Sequence, residues 1–186
     1  MSTGRFPRSP SRLPVRRLFE PAIAASAAIA AVITIRMASS LAWLDSALVG
    51  KDAKFAPDFI SGAGLAMRVT STFVHTAIAP GVAAFLRDVV VPNAHLFAVL
   101  VAVGDLAIGI SLFFGLLTRL GGFFEIVRAL TNIAIAGSTG ADTAGYNGML
   151  IVAGAIAIGT GAGRTFGLDR VLLTRFPNSK VLRLVA

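Results

Sequence analysis

Apolar residues fall into four long runs separated by short polar breaks, a pattern that predicts helices rather than strands. The runs cover about residues 21–50, 97–117, 123–137 and 146–163. A bilayer core needs about 20 apolar residues per helix, whereas a barrel strand needs about 10 with strict alternation, which this chain lacks. The expected fold class is an all-α integral membrane protein: a four-transmembrane-helix bundle with short interfacial helices in the first outer loop. Pro21 suits the first turn of the first span. Arg36 lies in the middle of that run, so two fits stand. Either a long tilted helix buries Arg36, or the span starts near Arg36 and the alanine-rich part before it lies in the interface.

The connection from Asp45 to Asn93 is neutral, with Lys51, Lys54, Arg68 and Arg87 set against Asp45, Asp52, Asp58 and Asp88. Asp58 opens one short apolar stretch, and Val82–Val91 forms another after Pro80–Gly81. Both are too short to span, so they read as interfacial helices or a re-entrant cap. The second span ends in a tight turn at Thr118–Gly122. A polar glycine-rich loop, Gly137–Asn147, follows the third. Small residues in the fourth span favour close helix contact. The predicted organisation is a disordered basic tail at 1–19, one membrane domain at 20–165 and a second basic tail at 166–186.

Composition agrees. The 186 residues are 55% hydrophobic and 14% charged, with a mean hydropathy of +0.80. Soluble domains carry about a quarter charged residues. The net charge of +8 raises nucleic acid as a partner, but its placement argues against that. Arg5, Arg8, Arg12, Arg16 and Arg17 precede the first run, and Arg164, Arg170, Arg175, Lys180 and Arg183 follow the last. Positive flanks on short tails place both termini on the cytoplasmic side of the plasma membrane, against anionic headgroups. The first apolar run continues to Leu44, too long for a cleaved signal, so it reads as an uncleaved span.

The candidate chemistry is sparse. With no cysteine there is no thiolate, disulfide or cysteine-ligated cluster, and no thioether-linked haem. His75 and His95 are too isolated for a metal motif, and the glycine-rich loop lacks the lysine of a phosphate loop. Four ionisable residues lie at or near membrane depth, where each needs a reason: Arg36, Asp105, Glu125 and Arg128. Glu125 and Arg128, three apart on one helix, pair with each other or sit at the interface near Arg119. Arg36 and Asp105 then remain as a cross-helix pair. That pair either fixes helix register or, with Trp43 and His95, forms a polar pocket for a quinone headgroup or a proton path. Trp43 and Tyr146 also suit interfacial anchoring, and His95 suits a capping role.

One segment carries a family resemblance. Pro92–Gly122, reading PNAHLFAVLVAVGDLAIGISLFFGLLTRLGG, resembles the signature of the DoxX/DoxD-like membrane proteins. The matching residues are Gly104-Asp105-Leu106, Gly109 and Gly115-Leu116-Leu117-Thr118-Arg119. Arg36, Trp43 and Lys51 resemble the family's first span, and Gly163-Arg164 with Gly167-Leu168-Asp169 resembles its ending. Asp105 stands where the family usually has glutamate, one methylene longer. The resemblance implies a four-helix membrane subunit of a redox system, like the membrane subunits of thiosulfate:quinone oxidoreductase, with quinone as the diffusible carrier. It implies soluble redox partner proteins and homo- or hetero-oligomers. Two functions are compatible with it: a subunit of a quinone-dependent oxidoreductase, or a non-catalytic anchor and assembly scaffold. A secondary transporter lacks the inverted repeats and broken helices it needs.

Overall fold

The computed structural model describes the backbone of residues 16–49, 53–137 and 141–186, and the side chains of 25–49, 53–137 and 142–186. Eleven helices follow one another among the described residues, with no strand. The long ones are α1 (Arg16–Leu48), α6 (Ala94–Phe114), α7 (Thr118–Ala136) and α8 (Ala141–Thr160). The chain divides into two compact units, residues 1–31 and 32–186. In the first, positions 25–31 of α1 are all exposed. Everything below concerns the second.

Among the described residues, three helices are long and apolar enough to cross a membrane: Ala25–Leu48, Ala94–Phe114 and Asp142–Thr160. Helix α7 has 19 residues, about 28 Å at 1.5 Å per residue, but carries Arg119, Glu125 and Arg128. On α6, Leu96, Leu100, Val103, Ile110 and Phe114 are exposed, a stripe at helical spacing of the kind that faces lipid. Its opposite side is buried through Ala98, Ala102, Asp105, Ile108 and Leu112. The bundle core joins all four long helices through Trp43, Ile108, Leu112, Ala129, Leu150 and Ala157. Helices α7 and α8 touch backbone to backbone: a Cβ on Gly122 would sit 2.7 Å from the Gly154 carbonyl oxygen, and one on Gly154 equally close to that of Gly122. This is the close approach that small residues permit.

Between α1 and α6 the chain builds a cap. Short helices α2 (Pro57–Ile60), α3 (Ala63–Arg68), α4 (Val74–Thr76) and α5 (Pro80–Phe85) alternate with π-helical turns at Val69–Phe73 and Leu86–Val90. Proline at the first turn of α2 and of α5 starts each one. Phe59, Leu65, Val69, Leu86 and Val90 pack on Ala98 of α6 as a second core. Helix α7 leaves carbonyls unpaired in its last turn, as every helix does. The cap satisfies two of them: Thr76 Oγ1 donates to the Ile135 carbonyl at 2.9 Å and the Ile78 amide to that of Ala134 at 3.0 Å.

Four expected boundaries move. The turn expected at Thr118–Gly122 lies at residues 115–117, and 118–122 already belong to α7. Helix α1 already begins at Arg16, inside the stretch read as a tail, and residues 1–15 lie outside the described residues. Helix α8 begins at Ala141, so most of the glycine-rich loop is helical, with 138–140 outside the described residues. Residues 166–186, read as a basic tail, are ordered. They fold as α10 (Leu168–Arg175) and α11 (Lys180–Val185), after the short α9 (Ala162–Thr165). Arg164 holds this end by donating from Nε to the Ala186 carbonyl at 3.1 Å, and the Ser179 hydroxyl caps α11 at the Leu182 amide.

Candidate functional site

Asp105 is fully buried on the inner face of α6, and the cation it meets is Arg128 of α7. Arg128 Nε donates to Asp105 Oδ1 at 2.9 Å. The same guanidinium donates to Asn132 Oδ1, whose amide donates to Asn147 Oδ1 of α8 at 3.2 Å. Residues 128 and 132 are one turn apart, so α7 presents both to the same point. From α1, Ser46 Oγ lies 3.5 Å from Asp105 Oδ2 and accepts from Lys54 Nζ at 3.0 Å. Charge-assisted bonds of this kind are the strong ones in a low-dielectric interior.

This polar group forms one wall of a cavity of about 400 Å³ between the cap and the ends of α6 and α7. Ser46, Lys54, Asp105, Arg128 and Asn132 line its polar part. The rest is apolar, with Phe59, Phe73, Phe85 and Phe97 the largest side chains. Lys54 and Arg68 stand over the Phe59 ring at 5.7 and 5.8 Å from its centroid, within cation–π range. The volume falls within that of small-molecule pockets, and apolar walls with a few convergent polar groups are their usual make-up.

One turn farther along α7, toward the basic end of the bundle, Glu125 is fully buried. Trp43 Nε1 donates to its Oε1 at 3.1 Å. Ser39 stands beside the same carboxyl, though its hydroxyl donates to the Arg36 carbonyl at 3.1 Å. Glu125 Oε2 accepts no hydrogen bond among the described residues.

Arg36 lies at the basic end itself. It is 4% exposed, and its Nη1 donates to the Phe166 carbonyl at 2.8 Å. Asp169 is the carboxylate whose charge acts on it. Asp169, fully buried, accepts from the amides of Leu117 at 2.5 Å and Thr118 at 2.9 Å. It thereby caps α7, where a carboxylate is favoured by the unpaired N–H groups and the helix dipole. The turn it caps is tight: Gly115 has φ +63° and Leu117 φ +51°. Only Gly adopts that region without strain, so Leu117 is held there by its bond to Asp169.

Several expected partnerships therefore change. Arg36 and Asp105 do not meet: Gly115, which Arg36 Nη1 abuts, lies ten residues along from Asp105, about 15 Å of helix. Glu125 and Arg128 share a helix face, yet Arg128 turns to Asp105 and Glu125 to Trp43. Both choices follow from what the other helices bring to each level. Arg119 takes no acid among the described residues; its Nη1 approaches the Arg183 carbonyl at 3.5 Å. His95 is absent from the cavity lining. Its Nδ1 lies 2.9 Å from the Ile60 carbonyl, an acceptor only, so Nδ1 carries the hydrogen and pins the cap to the start of α6. Trp43 belongs to the buried core and not to an interface belt. Lys51 lies outside the described residues. No group of three His, Cys, Asp or Glu suited to a metal occurs among the described residues.

Comparison with known families decides the affiliation. Residues 31–186 match the family described as TQO small subunit DoxD. The chain belongs to the DoxD family. Among curated proteins there is no match, and among solved structures there is none either. The family is that of the small subunit of thiosulfate:quinone oxidoreductase, a membrane redox subunit, so the broader DoxX/DoxD resemblance narrows to DoxD.

The fold explains what the DoxD-like signature does in this chain. Gly115-Leu116-Leu117-Thr118, Gly163 and Gly167-Leu168-Asp169 meet in one knot around the start of α7. Asp169 N–H completes it by donating to the Gly115 carbonyl at 2.9 Å. The sequence reading passed over Ser46, Lys54, Asn132 and Asn147. Helical spacing could have found two of them, since Asn132 follows Arg128 by four positions and Ser46 follows Trp43 by three.

Proposed function

We propose that this DoxD chain is the membrane subunit of a quinone-linked redox system, with a quinone headgroup held at the Asp105–Arg128 wall of the cavity. The observation that carries this reading is the amphipathic cavity: four phenylalanines on one side, and a guanidinium, an ammonium, an amide and a carboxylate on the other. A quinone is a flat apolar ring with two carbonyl oxygens, and these residues suit both parts. Arg128, Lys54 and Asn132 supply N–H donors for a carbonyl oxygen. Asp105 fixes the Arg128 fork, and the phenylalanines exclude water and take the ring. When bound, the quinone supplies two-electron, two-proton redox chemistry.

The remainder of the reading follows from the family and the charges. Four spans, with α7 as the third, close the bundle so that Glu125 and Arg128 face inward. The basic ends support a reading with both termini in the cytoplasm and the protein in the plasma membrane. Electrons come from a partner subunit or soluble redox protein of a hetero-oligomeric complex. In the family's named enzyme, the substrates are thiosulfate and quinone.

Purification of the full chain from its native membrane, followed by mass spectrometry, tests the reading. A quinone is expected to co-purify at about one per chain, together with partner subunits. A chain that neither retains nor takes up quinone, while still binding its partners, is the anchor or scaffold instead.

A further inference from the structure

Helix α1 carries a polar seam that touches the proposed quinone site only at Ser46. Arg36, Ser39, Ser40, Trp43 and Ser46 recur every three or four positions on one helix face, and all except Ser46 are buried. Opposite Ser46 stand Asp105 and Arg128; opposite Trp43 stands Glu125; at the end, Arg36 meets the Phe166 carbonyl. The seam therefore places two acids on successive rungs with different surroundings. Asp105 has a guanidinium on it. Glu125 has one N–H donor, from Trp43, the Ser39 hydroxyl beside its carboxyl, and an Oε2 with no partner among the described residues, pressed against Gly154 of α8. Arg36 and Arg128 spend their bonds elsewhere, on Phe166 and on Asp105 and Asn132.

We propose that Glu125 is a proton-holding carboxylic acid that serves the cavity from one turn away, passing its proton to the Asp105 wall and regaining one from the Arg36 end. A buried carboxylate with no cation beside it is strongly disfavoured, whereas the neutral acid needs only the neutral partners found here. The free Oε2 is where the proton sits. The α1 residues that face the two acids, Trp43 and Ser46, are three positions apart, about 4.5 Å along the helix axis. The proposal rests on the quinone reading: reduction of one quinone takes up two protons, here with dithionite as the two-electron donor, and Glu125 supplies one of them. Glu125 is then a positioning and proton-supplying residue, not one that touches the ring.

Two measurements test it on the full chain in lipid. Glutamate occurs at only two positions, Glu20 and Glu125, so carboxyl-13C glutamate labels almost nothing else. Infrared spectra at neutral pH are expected to show a protonated carboxyl stretch that shifts with the label and is lost in Glu125→Gln. An ionised carboxylate at Glu125 overturns the proposal whether or not quinone binds. In stopped flow, dithionite reduction of bound quinone with a pH dye is expected to show proton uptake slowed about 10²-fold in Glu125→Gln, with most of the rate recovered in Glu125→Asp, the scale of a lost acid–base group. Uptake at an unchanged rate, in a variant that retains quinone, also overturns it. Loss of quinone from the wild type contradicts the binding reading alone, because the infrared result is independent of it.

Discussion

Arg128→Met is expected to abolish quinone retention and to destabilise the protein by about 3–5 kcal/mol, the range for breaking a buried ion pair by removing one member. The reason is geometric. Asp105 is fully buried while the Arg128 side chain is 19% exposed, so the variant leaves the carboxylate without its cation and with only the distant Ser46 hydroxyl. Asn132 loses its donor at the same time. The double variant Asp105→Leu/Arg128→Met separates the two effects. Replacing both charges by apolar groups of similar size is often neutral for stability, so folding should recover and quinone should not. Denaturant titration of the protein in lipid, paired with quinone extraction, reads both. If the double variant binds quinone like the wild type, the polar wall is a helix clamp and nothing more.

The second large effect belongs to the other end. Asp169→Ala is expected to cost about 3–5 kcal/mol and to release α10 and α11 to protease. It strips the acceptor from the Leu117 and Thr118 amides, and loss of such a cap alone costs about 0.5–2 kcal/mol. It also leaves Arg36, 4% exposed, without the carboxylate that offsets its charge; the Phe166 carbonyl alone remains. Leu117 then holds a positive φ with nothing to keep it there. Asp169→Asn, which keeps one acceptor oxygen but not the charge, should fall between. Quinone binding is predicted to survive in whatever fraction stays folded, because the knot lies about 15 Å of helix from Asp105.

Much of the bundle was legible because apolar run length and helical period are local properties. The α6 span follows from such signals, although its end was read at Leu117 and lies at Phe114, with Gly115 closing the helix. The cap was visible as short amphipathic stretches, though not as four helices joined by π-turns, since those turns depend on how Phe59, Val69 and Leu86 pack on α6. Three of the buried charges, Arg36, Asp105 and Glu125, were found together with half-buried Arg128, but not their partners, and the fully buried Asp169 entered only through the family resemblance. Which acid meets which base depends on the relative height of the helices, and no periodicity reports that. Arg36 sits mid-span in sequence yet reaches the α9–α10 junction. The 166–186 stretch looked like a tail because its cations outnumber its acids. Its order comes from one buried aspartate and from arginines that bond to carbonyls rather than to acids.

A photoreactive quinone, cross-linked to the full chain in its native membrane and mapped by peptide mass spectrometry, asks directly where the ring sits. Adducts are predicted on the cavity walls around Phe59, Phe73 and Phe97, reduced by excess unlabelled quinone and absent in Arg128→Met. Competed adducts around Arg36 and Gly115 instead, or none that unlabelled quinone displaces, would contradict the assignment of the cavity.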